Sequence, residues 1–187
     1  MNIFMQRENI YTSKEKKVNE AYFTGNVTIR EVLSEENSAE QEMYHVTFHN
    51  GARTTLHSHE SDQILIATRG RGVIGLINGD RINEFVIEDD DILFLEKEGD
   101  TVCIPNNKLH FHGAIRKGED FSHIAIRKLH KTDPTTGSIK RAENKWEYDL
   151  IPEETGVREP EAINRIADEI SRRIQTAISQ RLQNSIK

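Results

Sequence analysis

At 187 residues the chain fits one domain of ordinary size plus an appendage, and it is long enough to bury a full core. Its formal net charge of −6, from 31 acidic and 25 basic residues, argues against a nucleic-acid or anionic-membrane surface, because those need clustered positive charge. No run of eighteen apolar residues is present, so no transmembrane helix is expected.

The opening Met1–Arg7 turns polar too soon for a signal peptide. Residues 1–20 read as a polar N-terminal arm or a short first element. Residues 21–130 read as all-β. Short apolar, β-branched runs (Val27–Ile29, Tyr44–Phe48, Ile64–Ala67, Val73–Ile77, Phe85–Ile87, Ile92–Leu95 and His123–Ile126) alternate with turn signals such as Asn50-Gly51 and Gly99-Asp100. Many short strands at near-regular spacing predict a sandwich or barrel. Asn78-Gly79 predicts a type I′ hairpin, whose two central residues both need positive φ. Arg69–Gly72 and Glu88–Asp91 read as turns. The first is followed by no helix, so it is not a phosphate loop, and the second lacks the spaced oxygens of a calcium loop. Cys103 lies in the apolar stretch Thr101–Ile104 and reads as a small buried hydrophobe. A single cysteine forms no intrachain disulfide, which fits a reducing, cytoplasmic setting.

Residues 131–187 form a C-terminal extension. Lys131–Gly137 reads as a loop and Trp146–Ile151 as one more extended piece. From Pro160 nearly to Lys187 one helix is predicted, with proline at its first position. Ile163, Ile166, Ile170, Ile174, Ile178, Leu182 and Ile186 recur at three and four, giving one apolar stripe to pack on a barrel, its own or a partner's.

The chemistry is concentrated in the histidines. His57 and His59, at i and i+2 on a strand, point to one side. Gln63 follows four residues after His59, and His110 and His112 arrive about fifty residues on, as ligands from strands folding back beside each other must. Imidazole suits divalent transition metals, and an amide oxygen can complete such a site. The pattern points to a metal inside a β-barrel. Strand parity also puts Arg53, Thr55, His57 and His59 on one inner face if the strand is regular. Arg53 is then a partner for a substrate carboxylate, or a structural ion pair at the barrel mouth. His112 faces the same way as His110 and is the leading candidate for a general acid or base, or an alternative ligand. His123 alternates with Phe121 and Ala125 and faces the pocket, or serves as a satisfied core histidine. His45, His49 and His130 read as surface or turn residues.

With these residues in hand the chain resembles the cupins, whose fold is a jelly-roll barrel, the double-stranded β-helix. Gly51, five residues, His57-Ser58-His59, Gln63 and Gly70 resemble the first cupin motif, with Gln63 where many members carry Glu. Gly99, five residues, Pro105 and His110 resemble the second, with Asn107 in place of the turn glycine. Tyr22–Gly25, Gly51–Thr54, His110–Ala114 and Ser122–Ile126 bring the chain closest to small bacterial cupins described as quercetin-dioxygenase-like or carboxymuconolactone-decarboxylase-associated. The resemblance covers residues 22 to about 127. The segment between Gly72 and Gly99 is longer than in those relatives and is expected to hold an extra strand pair around Asp89–Asp91.

The resemblance implies a metal held by His57, His59, Gln63 and His110, with Mn, Fe, Ni, Co or Zn all acceptable to such ligands. Three neutral imidazoles and an amide leave the ion's +2 charge uncompensated, which favours an anionic substrate. It further implies a metal-dependent enzyme acting on a small organic molecule, of oxygenase or isomerase/lyase type, with His112, Arg53 and His123 as catalytic candidates. The alternatives are a non-catalytic small-molecule-binding or regulatory module and a purely structural metal. A homodimer is expected, since dimers are common among such proteins and the apolar helix offers a further contact.

Overall fold

The computed structural model describes residues 5–79, 82 and 85–185. Thirteen strands lie among them: β1 (Glu15–Lys16), β2 (Val27–Leu33), β3 (Gln41–Phe48), β4 (His57–His59), β5 (Gln63–Gly70), β6 (Gly72–Leu76), β7 (Ile92–Leu95), β8 (Thr101–Ile104), β9 (His110–Ala114), β10 (Phe121–Lys128), β11 (His130–Thr132), β12 (Ile139–Arg141) and β13 (Asn144–Trp146). Two helices follow, α1 (Glu147–Thr155) and α2 (Pro160–Asn184). One sheet has the order β1-β2-β3-β10-β5-β8 and the other β13-β4-β9-β6-β7, with β11-β12 a separate hairpin. Every pairing is antiparallel. The all-β barrel with a C-terminal helix is thus the observed architecture. No helix among the described residues is long and apolar enough to cross a membrane.

Two apolar clusters explain why the five-stranded sheet is buried on both faces. Val46, Phe48, Leu65, Phe121 and Ala125 meet Ile74, Leu95 and Ala114 inside the barrel. Leu56, Val73, Phe111 and Ile115 point the other way and meet Ile163, Ile170, Ile174 and Ile178 of α2. Alternation along β9 follows from this. His110, His112 and Ala114 face inward, while Phe111 faces the helix, so all five residues of the strand are buried. The α2 stripe therefore packs on its own barrel. Ile186 and Lys187 lie outside the described residues. Close approach matters at Gly75, where a Cβ would come within 2.2 Å of the Phe111 ring. The phenyl ring lies directly over the β6 backbone, and any side chain there would push it off the sheet.

Several local expectations are corrected. Residues 147–151 are helical, not extended. Glu147 anchors the start of α1 through its N–H to the Leu56 carbonyl at 2.8 Å and its Oε2 to the Leu56 N–H at 3.0 Å. This tertiary tie overrides the strand-like composition, and Gly156 ends the helix in left-handed conformation at φ 72°. The tight hairpin at Asn78-Gly79 is absent. Asn78 bridges Val86 instead, and residues 80, 81, 83 and 84 lie outside the described residues. Asp89–Asp91 is a 3-10 turn leading into β7, and the pairing in this segment is that of β6 with β7 together with the Asn78–Val86 bridge. Cys103 is exposed, because Val102 and Ile104 take the inward positions of β8 and alternation turns the thiol out. His45 is buried rather than superficial, hydrogen-bonded to the Thr68 hydroxyl at 3.2 Å and covered by the edge of Tyr11. Of Lys131–Gly137, Lys131 and Thr132 belong to β11, and Asp133–Gly137 is the expected loop, turning the chain into β12. Asn107 adopts the left-handed conformation expected of it, at φ 58°.

A candidate metal centre

Strands β4 and β9 are neighbours, and His57 stands directly opposite His110. Opposed residues of an antiparallel pair share a face, and their rings lie 4.2 Å apart. His112, two residues after His110, shares the same face. One ring nitrogen from each of His57, His110 and His112 lies within 4.8 Å of the others. The Nδ1 atoms of the three are engaged elsewhere. His57 Nδ1 meets the Thr55 carbonyl at 3.0 Å, His110 Nδ1 the Lys108 carbonyl at 2.7 Å, and His112 Nδ1 the His123 Nε2 at 3.1 Å. The Nε2 atoms are what remain for the shared space. A partner fixing the far nitrogen of each ring is the arrangement that metal-binding histidines use.

The trio differs from the expected set by taking His112 and not His59. The His59 ring sits 4.9 Å from that of His57, but an Arg127 nitrogen lies 2.6 Å from its Nδ1 and 3.4 Å from its Nε2, so a cation already faces that ring, with Asn144 Oδ1 2.7 Å from Nδ1. Gln63 is in place. Its Oε1 lies 3.3 Å from His110 Nε2. With the His110 proton on Nδ1 for the Lys108 carbonyl, that contact sets two lone pairs face to face, which a cation between them would relieve. The residues present therefore fit a divalent ion.

Burial keeps these rings neutral. Desolvation holds His110 down at about 4 and His123 at about 3. His57, His59 and His112 are also pushed well below the ordinary imidazole value, first by burial and then by neighbouring rings, or in the case of His59 by the Arg127 charge. Neutral imidazoles offer lone pairs without first releasing a proton.

His57, His59, His112 and His123 line a cavity of about 330 Å³ with Ile29, Val46 and Phe48 among its apolar walls. Trp146 stacks on His57 at 4.4 Å, and Tyr22 stacks on Trp146 at 4.4 Å. Lys16, Lys17 and Arg127 also line it, and no Asp or Glu does among the described residues. Arg127 is ion-paired behind the wall with buried Glu42, whose other oxygen accepts from the Tyr44 hydroxyl at 3.0 Å.

Arg53 is not in this cavity. The strand expected over Arg53–His59 breaks at a bend on Leu56, so the inward parity is lost. Thr54 lines the histidine cavity, while Arg53 turns toward α2 and donates to Gln175 Oε1 at 2.9 Å. His123 does face the cavity. Sequence reasoning missed Arg127, Asn144 and Trp146. Extending the alternation Phe121, His123, Ala125 by two residues would have found Arg127. Nothing local marked Asn144 and Trp146, which reach the site because β13 pairs with β4, Trp146 opposite His57.

No protein-family model matches the chain, and no curated protein matches it. Solved structures do. A cupin-like protein from Thermotoga maritima is 30% identical over 75% of this chain and 94% of its own, with a TM-score of 0.51. The polyketide cyclase RemF from Streptomyces resistomycificus, 16% identical, is covered to 100% by 83% of this chain at a TM-score of 0.55. A cupin-2 domain from Rhodospirillum rubrum, 17% identical, matches over 91% of this chain and 97% of its own at 0.53. The last two speak to the fold alone. Identity of 30% across nearly the whole Thermotoga protein, together with this barrel and its inward histidines, shows that the chain belongs to the cupin superfamily.

Proposed function

We propose that this cupin is a metal-dependent enzyme acting on a small anionic organic molecule, of oxygenase or isomerase/lyase type. The observation that carries the reading is the convergence of His57, His110 and His112, all buried and neutral, at a cavity that His57 and His112 line and that is large enough for a small substrate. RemF, named as a polyketide cyclase, is an enzyme on this fold. The ion, Mn, Fe, Ni, Co or Zn, would supply Lewis acidity toward a substrate oxygen. His57, His110 and His112 hold it through Nε2, with Gln63 Oε1 beside His110.

An anion is favoured for two reasons. No carboxylate among those ligands offsets the ion's charge, and Lys17 lines the cavity beside Lys16 and Arg127, which are themselves ion-paired with Glu31 and Glu42. Trp146, held between His57 and Tyr22, offers the substrate an edge and not a face. In this arrangement His59 takes over the proton-transfer role first assigned to His112. Its neutral ring lines the cavity, with Asn144 and Arg127 at its edge to set its orientation. His123 orients His112. Arg53, facing away, has no part.

Elemental analysis of protein purified without a histidine tag tests this. Near-stoichiometric metal is expected in the wild type and loss of it in His57→Ala and His110→Ala. His112→Ala should lose metal as well, and His59→Ala should keep most of it. The reverse result for the last two would restore the set His57, His59, Gln63 and His110. A wild type that holds no metal even after incubation with divalent ions would leave a non-catalytic, small-molecule-binding cupin.

A further inference from the structure

A second cavity, of about 320 Å³, lies between the barrel and α2. It shares Thr54 and Phe23 with the histidine cavity as a common wall, and no histidine or Gln63 opens into it. Arg53 lines it and is only 6% exposed. One guanidinium nitrogen donates to Gln175, and no acid pairs with the group among the described residues. The Thr55 hydroxyl, also in the lining, is buried with no hydrogen-bond partner. Glu147 lines the cavity too, but its carboxyl engages the Leu56 N–H and not Arg53. From α2 the cavity takes Asp168, exposed on the helix.

A buried guanidinium without a counter-charge and an orphaned buried hydroxyl are both costly, and such groups are kept where something fills them. The unused Arg53 donors suit a carboxylate, which arginine takes in a two-pronged geometry. Asp168, at the exposed side of the cavity, can accept from an ammonium or hydroxyl at the other end of such a ligand.

We propose that this cavity binds a small amino or hydroxy carboxylic acid, with the carboxylate on Arg53 and Thr55 and the donor end toward Asp168. It does not depend on the histidine site holding metal or doing chemistry.

Calorimetric titration of glycine, glycolate and acetate into the intact chain at constant ionic strength tests it. Saturable binding is expected, tighter for glycine or glycolate than for acetate. Arg53→Gln, checked for folding by circular dichroism, should weaken it about tenfold or more, since a charge-assisted bond is lost. Thr55→Val should weaken it less, and serves as the decisive variant if Arg53→Gln does not fold. His57→Ala should leave the affinity unchanged, which separates this cavity from the metal centre. Absence of saturable binding by all three acids would overturn the proposal. So would an affinity unchanged in both Arg53→Gln and Thr55→Val, or one abolished by His57→Ala.

Discussion

Stripped of metal by a chelator, the protein is expected to unfold on mild acidification, as pH falls from about 6 toward 4. In the unfolded chain each histidine takes up a proton near 6.5. In the folded chain burial keeps His110 neutral down to about 4 and His123 down to about 3. The unfolded state therefore binds more protons throughout that window, and the stability present above pH 6.5 is lost as pH falls. At pH 5, some 1.5 units below the unfolded value, each ring costs about 2 kcal/mol, so these two alone remove about 4 kcal/mol. His57, His59 and His112 are shifted in the same direction and add to the loss. A typical domain has only about 5–15 kcal/mol to lose. Far-UV circular dichroism against pH should show the transition, and metal-loaded protein should resist to lower pH, because the ion binds only the neutral rings. Metal-free protein that stays folded to pH 4 would show that the cluster is open to water.

Replacing Glu147 by Gln should stabilise the protein at alkaline pH. Burial lifts the Glu147 carboxyl to about 7, and the single Leu56 N–H offsets little of that cost. Its folded value lies above its unfolded one, so the stability it contributes is full below about 4.5 and is lost as pH rises through 7. A shift of 2.5 units corresponds to about 3 kcal/mol. Glutamine keeps the amide oxygen that accepts from Leu56 and cannot ionise. Urea melts should therefore show the variant ahead by up to about 3 kcal/mol at pH 8 and level with the wild type near pH 4. A variant no better than wild type at pH 8 would mean that Glu147 is solvated or paired in solution.

The parts of the fold written in local period were legible in the sequence. The β-runs and the isoleucine stripe of α2 follow from alternation at two and at three to four, and the barrel placed them as expected. His110, His112 and His123 likewise face inward because their strands are regular. What failed depended on contacts distant in the chain or on a break in period. Arg53 was misplaced because one bend at Leu56 reverses every side chain before it. Glu147–Ile151 became helical because Leu56, some ninety residues earlier, ties its first turn. His112, and not His59, groups with His57 and His110, and the Asn144 that meets His59 arrives beside β4 by a pairing no local pattern announces.

Trp146 is the only tryptophan in the chain, and its ring lies flat against His57. The protein thus carries its own optical probe within van der Waals reach of the proposed coordination sphere. Indole emission will register whatever happens to that one imidazole, without labels or added chromophores. An ion with unpaired d electrons should quench it, whereas zinc, with a filled d shell, should merely perturb its wavelength. The same stacking that walls the cavity makes the identity of its occupant readable as light.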